Sequence, residues 1–152
     1  QTLGEAPLTA WFGRFGRTLA RFAAGEDSRP VTCDRATKSI SAETTFASDL
    51  SGRAALEGQL APLAERVGSR LGRAALAGRT VVLKLKTAGF QVLSRHHRLA
   101  HPTQQADVIR EAAAHLLARE ADGRAFRLIG VGVTELCGEG EADPPDLFGL
   151  CR

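Results

Sequence analysis

Apolar positions recur at helical spacing over residues 7–23, where Leu8, Trp11, Phe12, Phe15, Leu19 and Phe22 fall on one stripe and Pro7 suits a first helical turn. Four aromatics make that stripe too apolar for a solitary surface helix, so the helix is expected to lie against a partner. Gly25-Glu-Asp-Ser-Arg-Pro30 then stops it and connects onward, and Pro30 forces extended chain just before itself. The pattern changes in Lys38-Ser-Ile-Ser-Ala-Glu-Thr-Thr-Phe46, where Ile40, Ala42 and Phe46 alternate with Ser39, Ser41, Glu43 and Thr45, as in a half-buried strand.

Asp49 or Ser51 can cap a following helix with Leu56, Leu60, Leu63, Val67, Leu71 and Ala75 on its apolar side. Pro62 requires that this helix either kinks or has its regular part begin near it. Two strands come next, Arg79–Thr87 and Gln91–Leu99, joined by Ala88-Gly89-Phe90. The first places Val81, Leu83 and Leu85 on one face and Thr80, Lys84 and Lys86 on the other, with Val82 as an apolar intruder. The second is less regular, since Leu93 and Leu99 share the parity of Arg95 and His97; a bulge or a twisted edge would reconcile them. A helix capped at Thr103 buries Val108, Ile109, Ala112, Ala113, Leu116 and Leu117, and a last strand spans Phe126–Leu136. The order is βαββαβ, an α+β fold in which both helices can cover one face of a four-stranded sheet and leave the other open. The expected parts are residues 1–30, the helix and linker; residues 31–138, the sheet domain; and residues 139–152, a flexible acidic tail.

Charge sharpens this picture. From Arg66 to Ala106 the chain carries eight cations (Arg66, Arg70, Arg73, Arg79, Lys84, Lys86, Arg95 and Arg98) and no Asp or Glu, although the chain holds 17 acids. The net charge of +3 conceals a basic body and an acidic tail, for residues 139–152 contribute four acids against one Arg. A strand pair with cationic and hydroxylic outward side chains suits a polyanion, most often nucleic-acid backbone. Cys33, Cys137 and Cys151 form neither a CxxC pair nor an even disulfide set, and are expected as free thiols in a reducing cytoplasm. No apolar run is long enough to span a bilayer, so no membrane partner is expected. His96, His97 and His101 lack the Cys or carboxylate companions of a zinc site, and no acids cluster as catalytic metal ligands would, so no catalytic or metal-binding residue is expected.

Several segments in order resemble the C-terminal part of the Y-family translesion DNA polymerases, most closely the bacterial DinB group. Gly25-Glu-Asp-Ser-Arg-Pro-Val31 resembles the family's G-x-D-x-R-P-V junction, and Lys38-Ser-Ile-Ser-Ala-Glu-Thr-Thr-Phe46 its K-S-V-S-x-E-x-T-F strand. Leu83-Lys-Leu-Lys86 with Phe90 and Ser94-Arg95 is similar to its L-K-[IL]-[KR]…F…[ST]-R pair, Leu128-Ile-Gly-Val131 to its R-L-[IL]-G-V strand, and the helix around Phe15-Gly-Arg to the last thumb helix. The resemblance covers about residues 7–136. Thr44 stands where many relatives carry Arg, His97 where many carry a second basic residue, and Gly132 where a bulkier residue is common.

This resemblance implies the end of a thumb followed by a little-finger domain that grips primer-template DNA in the major groove. Phosphoryl transfer, with magnesium ions, is then the work of a palm outside this chain, and this piece alone should be inert. Lys84, Lys86 and Arg95 are the expected charge-assisted phosphate contacts. Ser39, Ser41, Thr44 and Ser94, with main-chain N–H groups from Lys38 to Ser41, are expected to add neutral ones, and His96 and Arg98 further backbone contacts. In the tail, Asp146, Leu147 and Phe148 resemble the peptide with which bacterial polymerases bind the sliding clamp, although Pro144 stands where that peptide usually opens with Gln. Two other readings stay open: a catalytically inactive accessory relative acting as an interaction hub in mutagenesis, and an RNA-binding module. The last would need stacking aromatics on the open face, where the strands offer only Phe46 and Phe90.

Overall fold

The computed structural model describes residues 3–32 and 36–143. The chain divides into two compact units, one ending at Ala36 and the other beginning at Thr37. In the first, the expected single helix is two: α1 (Glu5–Phe12) and α2 (Arg14–Ala23). Gly13 breaks the run at φ 59°, ψ −143°, a conformation open to a residue without Cβ. The chain doubles back there, and Gly16 fits tightly beneath α1, since a Cβ on it would stand 2.3 Å from the Leu8 carbonyl oxygen. Trp11, Phe12 and Phe15 remain more than half exposed.

The second unit contains β1 (Ser39–Leu50), α3 (Arg53–Glu57), α4 (Leu60–Arg73), β2 (Leu76–Thr87), β3 (Val92–Thr103), α5 (Ala106–Ala118) and β4 (Phe126–Gly138). This is the α+β, βαββαβ order read from the sequence, with the first helix divided in two. Pro62 falls in the first turn of α4, where a missing N–H costs no helical hydrogen bond. The four strands form one antiparallel sheet in the order β1-β4-β2-β3, so that the last strand inserts between the first two and β1 and β3 are the edges.

One face of this sheet is the core. Ala42, Val81, Leu83, Leu85, Ile129, Val131 and Val133 pack against Leu56 of α3, against Leu60, Leu63, Val67 and Leu71 of α4, and against Ile109, Ala113, Leu116 and Leu117 of α5. Helix α4 packs on β1 and β4, while α5 packs on β2 and β3. Residues 139–143, expected to begin the flexible tail, are instead tied down. Glu139–Glu141 makes a 3₁₀ turn, Glu139 N–H donates to Ala75 O at 3.1 Å, and the Asp143 carboxylate accepts from the Thr103 hydroxyl and from Gln104 N–H.

Candidate nucleic-acid interface

All three helices of the second unit lie on the core side, so the opposite face of the sheet is uncovered by any described element of that unit. Its rows follow from the register. Ser41, Gly132, Val82 and His96 form one row; Glu43, Gly130, Lys84 and Ser94 the next; Thr45, Leu128, Lys86 and Val92 a third. Ser39, Thr134, Thr80 and Arg98 complete the face. The middle of the central strand therefore has no side chains. A Cβ on Gly132 would stand 2.9 Å from Ser41 Cβ, and one on Gly130 3.0 Å from Glu43 Cβ. The result is an open trough with a bare peptide floor, walled by Ser39, Ser41 and Glu43 on one side and by Val82, Lys84 and Ser94 on the other.

The basic window is acid-free along the chain but not in space. Glu43 on β1 takes Lys84 Nζ at 2.8 Å. Glu135, at φ 54° on β4, takes Arg98 Nε at 3.0 Å, and this guanidinium holds the Glu135 carboxyl below its ordinary value. Glu120, just beyond α5, takes Arg95 Nε at 2.7 Å. These pairings offset part of the positive charge expected from the acid-free window.

Two expected contacts also change sides. Pairing from Thr80↔Arg98 to Lys86↔Val92 is continuous, so no bulge interrupts this part of β3 and Arg95 lies opposite Leu83 on the helix side. Arg95 and His97 share that side with the partly buried Leu93 and Leu99, and each meets α5 or its end, His97 through a tilted ring contact with His115 at 5.8 Å. Thr44 pairs with Ile129 and likewise belongs to the helix side. Ser39, Ser41, Lys84, Lys86, Ser94, His96 and Arg98 do stand on the open face, and exposed Lys38 immediately precedes it.

Sequence reasoning missed Arg127. It is the extra residue of a bulge, because Lys86 pairs with Leu128 while Thr87 pairs with Phe126. Its guanidinium sits 4.1 Å from the Phe90 ring centre, and Lys86 Nζ sits 4.6 Å from the same ring. Phe90 is 60% exposed and turns the hairpin at φ 66°. No described carboxylate neutralises either cation, so this end of the sheet carries the least compensated positive charge. The missed signal was the single Arg between Phe126 and Leu128, whose place in an apolar strand implied a bulge. Phe46 packs on the core instead of the open face. Arg70 of α4 reaches the edge strand and donates to Ser41 O at 2.5 Å.

Asp146, Leu147 and Phe148 lie outside the described residues, as do Cys33 and Cys151. Cys137 is a free thiol whose pKa is pushed up by burial. Among the described residues no three His, Cys, Asp or Glu side chains converge as a metal ion requires. No described helix is long and apolar enough to cross a membrane.

Residues 37–146 match the model of the impB/mucB/samB family C-terminal domain. The chain belongs to that family. It is 47% identical over 150 residues to DNA polymerase IV of Brucella melitensis, covering 99% of this chain and 34% of that protein. It is 46% identical over 147 residues to DNA polymerase IV 1 of Mesorhizobium japonicum, covering 97% of this chain and 34% of that protein. The chain thus spans about a third of the length of these relatives. A solved complex of a β-clamp processivity factor and the little-finger domain of polymerase IV aligns with TM-score 0.56 and 24% identity, over 74% of this chain and 99% of that one. The Y-family resemblance read from the motifs is borne out, and the four-stranded unit has the little-finger fold.

Proposed function

We propose that the unit beginning at Thr37 grips the sugar-phosphate backbone of primer-template DNA, without reading sequence, as part of a lesion-bypass polymerase. The observation that supports this best is the open trough, whose glycine floor admits a backbone between hydroxyl walls and which ends at the uncompensated pair Lys86 and Arg127. Phosphates need cations and short N–H or O–H donors, and the face supplies both from Lys84, Lys86, Ser39, Ser41 and Ser94. It presents no helix to a groove and no Asn or Gln fork to a base edge, so binding is sequence-tolerant and sensitive to salt. Phosphoryl transfer, with its magnesium, belongs to the part of the polymerase outside these residues.

The test is a salt series of duplex binding by the chain and by a Lys86→Ala, Arg127→Ala variant. Each lost phosphate contact should flatten the slope of log affinity against log salt by ~0.9, alike for unrelated sequences. An unchanged slope and affinity would refute this choice of face. The same reading assigns Asp146, Leu147 and Phe148 to a sliding clamp, with support from the solved neighbour, which is itself a clamp complex. Leu147→Ala with Phe148→Ala should then abolish clamp binding and leave DNA binding unchanged.

A further inference from the structure

Glu43, Gly130 and Lys84 occupy one cross-strand row, with the glycine in the middle. Residues on either side of a central strand are roughly 9.6 Å apart, twice the usual spacing. Even so, Lys84 Nζ meets Glu43 Oε2 at 2.8 Å, because Gly130 has no side chain to hold them apart. The ion pair is a bar laid across the trough, over the floor where a phosphate would lie. Its side chains are 43% and 51% exposed, so it is weak and readily exchanged.

We infer that Glu43 is a built-in rival of the DNA phosphate: it holds Lys84 across the empty trough and must give it up when the backbone enters. This rests on the backbone-gripping reading above. A phosphate offers Lys84 the same charge as the carboxylate, so the exchange gains little attraction. It also leaves Glu43 unpaired beside a second anion, where like charges repel. The displaced carboxylate gathers a cation from solution, which offsets one of the counterions released from DNA. Glu43 therefore lowers both the affinity and the net ion release of the grip.

The experiment titrates a fluorescently labelled primer-template duplex with the 152-residue chain and with its Glu43→Gln, Lys84→Ala and doubly substituted forms, across a salt series. Glu43→Gln should tighten binding ~5-fold at low salt, because Lys84 no longer has to leave a carboxylate at close range before it meets the phosphate, and steepen the salt slope by up to ~0.9. With Lys84→Ala already present, Glu43→Gln should gain much less. An unchanged affinity for Glu43→Gln, or an equal gain with and without Lys84, overturns the inference. If that happens while Lys86→Ala, Arg127→Ala still weakens binding, the backbone-gripping reading survives; if no form binds the duplex, both fall.

Discussion

Arg95 Nε donates to Glu120 Oε1 at 2.7 Å on the helix-bearing side of the sheet. Glu120 is only 8% exposed and also lies 3.8 Å from Arg124 Nη2. A carboxylate so far from water depends on its cations, and removing one leaves it undercompensated. Arg95→Ala is therefore expected to lower unfolding free energy by ~1–2 kcal/mol, a value reduced from that of a fully buried pair because the arginine itself is 43% exposed. Lys86→Ala should cost far less stability and more DNA affinity. Urea unfolding of the two variants beside duplex titrations checks this, and the reverse ranking would return Arg95 to the DNA face.

Gly68 pits helix propensity against packing. Replacing a glycine inside α4 with alanine favours the helix by ~1 kcal/mol. A Cβ there, however, would stand 2.8 Å from the backbone carbonyl oxygen of Gln104, in the segment leading to α5. That oxygen cannot swing aside as a side chain would, and overpacking typically costs ~1–3 kcal/mol. Gly68→Ala should destabilise the domain on balance, whereas Gly72→Ala, whose nearest neighbour is the Gln104 side-chain oxygen at 3.3 Å, should be neutral or stabilising. Thermal melts of both variants decide it.

The alternation of Ile40 and Ala42 with Ser39 and Ser41, and the helical stripe from Leu56 to Leu71, were enough to read the βαββαβ order, because each element buries one face and repeats accordingly. The break at Gly13 was not legible, since Phe12 and Phe15 keep helical spacing on both sides of it and nothing local distinguishes a helical glycine from one at φ 59°. The charge run was legible as composition but misleading as a field. Glu43, Glu120 and Glu135 are distant in sequence from the cations they meet, and only the β1-β4-β2-β3 order brings them there. Arg95 was misplaced for a related reason. On an edge strand only partly covered by a helix, the inner side tolerates charge, so alternation loses its meaning.

Glu135 gives the fold an acid-sensitive contact. Arg98 holds its carboxyl below the ordinary value of 4.5, so the pair stabilises the folded state above that value and the contribution is lost as pH falls through the lowered one. Glu135→Gln should be slightly less stable than the parent chain near neutrality. The difference should vanish as pH falls through and below the ordinary carboxylate range, as the carboxylate takes up its proton. Parallel urea midpoints across that range test it, and a difference that grows on acidification would give the linkage the opposite sign.

Asp143 fastens the end of the described chain to the domain. Its N–H donates to Pro102 O at 2.9 Å. Its carboxylate accepts from Gln104 N–H at 3.2 Å and from the Thr103 hydroxyl, while Thr103 Oγ1 in turn accepts from Gln105 N–H at 3.0 Å. The set satisfies the backbone N–H groups of Gln104 and Gln105 in the segment leading into α5. The residue holds φ 44° to do so, so its side-chain bonds must outweigh a backbone cost. Asp143→Ala should therefore lose ~1–2 kcal/mol, as for the loss of partly exposed hydrogen bonds to a charged acceptor, and should speed amide exchange at Gln104 and Gln105 more than at Val131 in the core strand. Equal acceleration at all three would mean that the contact merely contributes to global stability and does not fasten this corner.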